Sequence, residues 1–226
     1  MSNLEHWQAA KLPDSRTLQG CFIRLEKLDL ARHGDGLWAA LQGPGSDTKL
    51  WDYLPYGPFT ERNAFDDFLS GMEAGSDPWF YTVIDQETDA IHGYLSLMSI
   101  VAAHGRIEIG HVTFGASMQR TPKSTEAVYL LAKESFDLGN RRLEWKCNGD
   151  NARSKRAAER FGFTFEGTFR QHMVVKGQNR NTAWYSIIDS EWPALQEAFE
   201  AWLAPENFEE GKQLRTLETC HRVNNP

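Results

Sequence analysis

A strand–helix–strand–helix run in the middle of the chain does most to narrow the fold. Arg106–Phe114 reads as a strand, entered through His104–Gly105. Ser124 opens a helix that runs to Leu138 and stops at Gly139. Ser124 is the predicted N-cap, Glu126 suits the positive end of the helix, and Gly139 suits the left-handed position after its last turn. Arg142–Cys147 then alternates, with Leu143, Trp145 and Cys147 on one face and Arg142, Glu144 and Lys146 on the other, the pattern of a half-buried strand. Asn151 to Arg160 is a short helix followed by Gly162.

The flanks fit around this unit. Cys21–Leu25 is a strand candidate, Leu30 to Leu41 has helical spacing despite Gly34 and Gly36, and Thr60–Glu61 begins a helix through Phe65, Phe68 and Leu69 towards Gly75. Trp79–Ile84 and Ile91–Met98 flank a polar turn and read as a hairpin, as do Thr168–Lys176 and Ala183–Ile188 around Gly177–Asn181. Ser190-Glu-Trp-Pro starts a last helix with Leu195, Phe199, Trp202 and Leu203 on its apolar face. The pattern is mixed α/β. At 226 residues the chain fits one domain, placed at 21–204, with a polar lead-in over 1–20 and a charged tail over 205–226, frayed or packed as an appendage.

Composition removes several classes. A net charge of -7 argues against non-specific nucleic-acid binding, which draws on a basic face. Basic residues nonetheless crowd into Arg141–Arg142, Lys146, Arg153–Lys155–Arg156 and Arg160, a local excess suited to a polyanionic ligand. No apolar run approaches the roughly 18 residues of a membrane-spanning helix. Cys21, Cys147 and Cys220 match no zinc or redox spacing. The first residues carry no secretory signal, so a reducing cytosol is the expected setting.

Two segments carry chemistry. From Glu108 to Thr125 a strand enters a loop that runs into a helix N-terminus, where unpaired N–H groups and a partial positive charge gather. Arg120 and Lys123 add charge, and Thr121, Ser124 and Thr125 add hydroxyls, making a cradle for a pyrophosphate; the other reading is an ordinary capped helix. Asn151 and Ser154 stand at the start of the next helix, by themselves only the cap of an amphipathic helix.

Together these segments resemble the GNAT acyltransferases. Gln119-Arg-Thr-Pro-Lys-Ser is similar to that family's acetyl-coenzyme A pyrophosphate loop, and Asn151-x-x-Ser154 with Phe161-Gly-Phe163 resembles its second cofactor element. The Glu108-Ile-Gly strand, Trp51…Pro55-Tyr-Gly-Pro-Phe59, Phe165-Glu-Gly…Arg170 and Ser186-Ile-Ile-Asp-Ser-Glu-Trp-Pro resemble the RimJ/RimL-like branch. The resemblance spans Cys21 to Ala204 and implies a mostly antiparallel central sheet, a splayed pair of parallel strands at the acetyl-CoA site, and helices on both faces. Pro122 and Ser124 stand where the family usually has glycines, which removes one donor from the cradle. Ala158 stands where many members have a tyrosine that protonates the leaving thiolate.

The resemblance implies direct attack of a primary amine, on a protein N-terminus or a small molecule, on the acetyl thioester of acetyl-CoA. Glu108 is the candidate base, its other role being a structural ion pair beneath the site. His111, on the opposite strand face from Glu108 by simple alternation, is a substrate-lining candidate whose ordinary pKa also suits a base. Backbone N–H groups around Thr113 and Phe114 supply the oxyanion donor, and Ser154 is the candidate acid. Gln119, Arg120, Thr121, Lys123, Ser124, Thr125, Asn151 and Ser154 are the expected coenzyme contacts. The aromatic loop of Trp51, Tyr53, Tyr56 and Phe59 either lines the acceptor pocket or packs as a lid; of Trp184 and Tyr185, one belongs to the core. A non-catalytic acyl-CoA-binding module is the rival reading, and a homodimer is the base-rate assembly. No metal, nucleic acid or membrane enters this reading.

Overall fold

The computed structural model describes residues 4–210 and 212–223. Its centre is an eight-stranded sheet in the order β1-β2-β3-β4-β5-β6-β8-β7. The strands are β1 (Leu18–Gln19), β2 (Ile23–Lys27), β3 (Trp79–Asp85), β4 (Ile91–Val101), β5 (Arg106–Phe114), β6 (Arg142–Asn148), β7 (Thr164–Val175) and β8 (Gln178–Ile188). Every neighbouring pair is antiparallel except β5 and β6. That exception follows from connectivity: β5 returns to β6 through helix α3 (Pro122–Asp137), a crossover that lays the two strands side by side in the same direction.

Helices α1 (Leu30–Gln42) and α2 (Arg62–Ala74) cover one face of the sheet over β3 to β5, with Leu37, Leu41, Phe65 and Leu69 packed on Phe80 and Tyr94. Helices α3, α4 (Ala152–Arg160) and α5 (Trp192–Leu203) cover the other, closing on Tyr81, Leu95, Ile107, Ile109, Leu143 and Tyr185. The clean alternation in β6 sends Leu143, Trp145 and Cys147 into this second core and Glu144 and Lys146 to the first face.

The cap of α3 is Thr121, not Ser124, which lies inside the first turn. Pro122 takes the first helical position, where its fixed φ suits the helix and its missing N–H costs no bond. Leu138 caps the far end and Gly139 follows at φ 90°, as its position in the sequence predicts. Glu126 does more than complement the helix dipole: its carboxylate accepts the backbone N–H groups of Cys21, Phe22 and Ile23 at 2.6–2.8 Å, tying α3 to the start of β2.

The lead-in crosses the sheet end, with Ala10 N–H donating to the Ala102 carbonyl and Lys11 N–H to that of Leu138. In the tail, β9 (Phe208–Glu209) and β10 (Lys212–Gln213) pair, and α6 (Leu217–Val223) buries Leu217 and Cys220 in the second core. Of the two outcomes expected for the tail, the described part is packed. Among the described residues no helix is long and apolar enough to cross a membrane.

Candidate active site

The two parallel strands part halfway along. β5 and β6 stay in register from Arg106↔Arg142 to Ile109↔Trp145, and no pairing follows although β5 runs on to Phe114 and β6 to Asn148. The parting leaves a wedge-shaped gap in the sheet. Gly115 N–H donates to the His92 carbonyl at 2.8 Å, while Phe114 lies opposite Gly93 and Thr113 opposite Tyr94. Antiparallel ladders alternate, so the Thr113 N–H faces β4 and that of Phe114 faces the gap, with no strand to receive it. The sequence singled out both residues; the backbone brings only Phe114 to the gap. Thr113 is buried, its hydroxyl donating to the His111 carbonyl.

His111 departs from the expected alternation. Two residues of β5, His111 and Val112, oppose one residue of β4 between Gly110↔Ser96 and Thr113↔Tyr94, a β-bulge. His111 takes φ 52° and turns to the α1/α2 face, the face of Glu108, where its ring lies 5.1 Å from that of Phe80. Nδ1 is 2.7 Å from the Tyr56 hydroxyl and the two rings stack at 5.7 Å. Burial pushes the imidazole down to about 4, so it is neutral at physiological pH.

Glu108 is buried at the same mouth of the gap. Its Oε2 accepts from Ser99 Oγ and Lys146 Nζ, both at 2.9 Å. Lys146 also pairs with Glu144 at 2.8 Å, and Arg142 Nε donates to the other Glu144 oxygen at 2.8 Å. Burial raises the Glu108 pKa, and Lys146 works against that rise. Glu108 thus belongs to an ion-pair network, and its Oε1 carries no hydrogen bond among the described residues.

The other mouth is the N-terminus of α3. Thr121 makes no side-chain cap; its hydroxyl donates to the Met118 carbonyl, and the Ser124 hydroxyl and N–H both go to the Thr121 carbonyl. With Pro122 lacking a donor, Lys123 N–H is the open amide of the first turn. The Lys123 side chain is turned away onto Asp85, and Gln119 Nε2 donates to the Phe114 carbonyl at 3.1 Å. Arg120 is exposed, at φ 62°. Thr125 is buried and accepts from Arg160 at 3.0 Å. That guanidinium stacks on Trp202 and Phe161 and has no ion-pair partner among the described residues. The sequence offered Arg160 only as one charge in a cluster; nothing in its spacing tells that it reaches α3.

Asn151 caps α4 as expected, accepting Ser154 N–H at 3.1 Å. Ser154 Oγ accepts from Trp145 Nε1 at 2.9 Å and is hydrogen-bonded to the Cys147 side chain. Ala158 is fully buried and supplies no proton. Sequence reading missed a brace behind the loop: Ser117 Oγ lies 3.2 Å from His92 Nδ1, and His92 Nε2 lies 3.2 Å from Asp85 Oδ2, the oxygen that also holds Lys123.

The aromatic loop divides. Trp51 is 1% exposed beneath Tyr56 and Phe59 and belongs to the α1/α2 core, so it lines no open acceptor surface. Tyr56 faces the site through His111. Tyr53 donates to the Asp150 carbonyl at 3.2 Å, and Lys176, at the β7–β8 turn, donates to the carbonyls of Trp51 and Gly57 at 2.9 Å. The loop thus bridges the ends of β6 and the β7–β8 hairpin. Tyr185 is the core member of its pair, and Trp184 stands on the open face.

Residues 27–164 match the family model described as the acetyltransferase (GNAT) domain, and the chain belongs to that family of acyltransferases. A GCN5-related N-acetyltransferase from Brucella melitensis is 45% identical, covering 97% of this chain and 100% of that one, with a TM-score of 0.94. The uncharacterized N-acetyltransferase YnaD of Bacillus subtilis (strain 168) is 25% identical over 69% of this chain and 89% of its own length. The fold extends to RimL, a ribosomal L7/L12 α-N-protein acetyltransferase, at 21% identity over 76% of this chain and 94% of that one, with a TM-score of 0.65. Use of acetyl-CoA is general in the family.

Proposed function

We propose that this protein transfers the acetyl group of acetyl-CoA to a primary amine within a ternary complex. The observation that carries the reading is the gap between β5 and β6, with an anion cradle at one mouth and a carboxylate with a neutral histidine at the other. The uncapped first turn of α3, its open Lys123 N–H, and the side chains of Arg120 and Arg160 fit the phosphates of the coenzyme. Bound there, acetyl-CoA supplies an activated thioester.

The chain's own groups divide the work. The Phe114 N–H, facing the gap, donates to the carbonyl oxygen as charge develops on it. Glu108 Oε1 holds the incoming ammonium and accepts its proton, a task suited to a carboxylate whose pKa burial has raised. His111 stays neutral, and Tyr56 fixes its ring against the acceptor. Ser154, oriented by Trp145, donates a hydrogen bond to the departing thiolate and relays to it the proton shed by the attacking nitrogen. The RimL likeness brings a protein N-terminus into range as acceptor alongside small-molecule amines. The test is thiol release from acetyl-CoA across a panel of amines and short peptides with free N-termini. Release that depends on the amine, with an acetylated product of matching mass, supports the proposal; release independent of every amine refutes it.

A further inference from the structure

Beyond the gap, no helix among the described residues packs extensively on the α1/α2 face of β6, β8 and β7. On it Lys146 stands opposite Trp184, and Phe169 on β7 lies opposite Thr182 of β8. The Phe169 and Trp184 rings are 4.6 Å apart. His172 lies 5.5 Å from Phe169 and 6.0 Å from Trp184, its ring fixed by Thr182 Oγ1 at 2.9 Å. Phe169 is 53% exposed. The three rings form an open platform.

Its position relative to the carboxylate is set by one side chain. Lys146 Nζ lies 2.9 Å from Glu108 Oε2 and 4.1 Å from the centre of the Trp184 ring. Lys146 itself takes the cation–π position over Trp184, and the two distances place Glu108 Oε2 within about 7 Å of that ring centre. A short-chain amine held by the free Oε1 would carry its substituent onto the same rings. The charge on this face limits that substituent: Lys146, over Trp184, and Arg180 on β8, whose Nε donates to Thr182, oppose a second cationic group.

We propose that the acceptor is a monoamine bearing an aryl group, which lies on Phe169, Trp184 and His172 while its amine meets Glu108. This rests on the acetyl-transfer reading above. The experiment compares phenethylamine with butylamine and spermidine, and a peptide beginning with Phe with one beginning with Ala, in wild type and Phe169→Ala. Thiol release gives kcat/KM, and calorimetry on the CoA-loaded protein gives binding. Expected is a preference for phenethylamine over butylamine of about 10-fold, the scale of one good aromatic contact, falling to within about 2-fold in Phe169→Ala. Because the ratio is internal, partial unfolding of the variant cancels. The two aryl arms separate a free arylalkylamine from an aromatic peptide terminus. A preference for butylamine or spermidine, or a ratio unmoved by Phe169→Ala, overturns the proposal. Phe169-dependent binding of phenethylamine with no thiol released by any amine upholds the platform and overturns acetyl transfer.

Discussion

The brace behind the α3 loop predicts a defect confined to coenzyme binding. Ser117 is exposed and, among the described residues, its side chain bonds to His92 alone; His92 joins it to Asp85, which also holds Lys123. A net hydrogen bond contributes about 0.5–1.5 kcal/mol. Ser117→Ala removes one bond between loop and sheet, which weakens acetyl-CoA binding about 2–12-fold at 1.4 kcal/mol per tenfold. His92→Ala removes both and weakens it about 5–150-fold. The backbone carbonyl of His92 keeps its bond to Gly115 N–H, so the strand register survives either change. Calorimetry with acetyl-CoA gives the affinity, and steady-state kinetics give KM for each substrate. The expected pattern is a raised acetyl-CoA KM, an unchanged acceptor KM and a kcat within about 2-fold of wild type. Unchanged coenzyme affinity in His92→Ala, with the fold intact by circular dichroism, refutes the brace.

Three further outcomes follow from buried charge. Glu126→Gln replaces a carboxylate that accepts three backbone N–H groups and is expected to cost about 2–4 kcal/mol, lowering Tm by about 4–16 °C in calorimetry; a Tm within about 1 °C of wild type contradicts this. Glu108→Gln is expected to lower kcat about 10²–10⁴-fold with acetyl-CoA KM held, and an unchanged kcat assigns Glu108 to the ion-pair network alone. His111, pushed down to about 4 from an ordinary 6.5, binds its proton more weakly folded than unfolded. Its contribution to stability is full above about pH 6.5 and declines as pH falls towards 4. Urea unfolding of His111→Asn is expected to lose less stability than wild type between pH 7 and 5; equal losses contradict the assignment.

Much of the frame was legible in local pattern. β5 matches its expected bounds because its flanks carry turn signals, and the alternation of Arg142–Cys147 already sorts core from site. What the sequence withheld depends on contacts distant along the chain or on backbone that no periodicity reveals. The bulge at His111 inverts a face assignment because alternation assumes a regular strand. Pro122 was the clue that moves the α3 cap to Thr121, since proline favours the first helical position. Lys123 and Asp85 are neighbours through the pairing of β3 with β4 and the packing of α3, and no local signal joins them. The sequence leaves Trp51 open between pocket lining and packing, and the aromatic residues after it fold back over it. The RimJ/RimL-like motifs pointed to the strand–loop–helix that forms the candidate site; its hydrogen-bond assignments needed coordinates.

The parted strands β5 and β6 are expected to hold the reacting group, and a crystal structure with coenzyme A bound tests this. The coenzyme sulfur is expected between the Ile109–Trp145 fork and Phe114 N–H, near Ser154, and the pyrophosphate on Lys123 N–H with Arg120 or Arg160 beside it. A coenzyme seated elsewhere, with the gap closed, contradicts the proposed site.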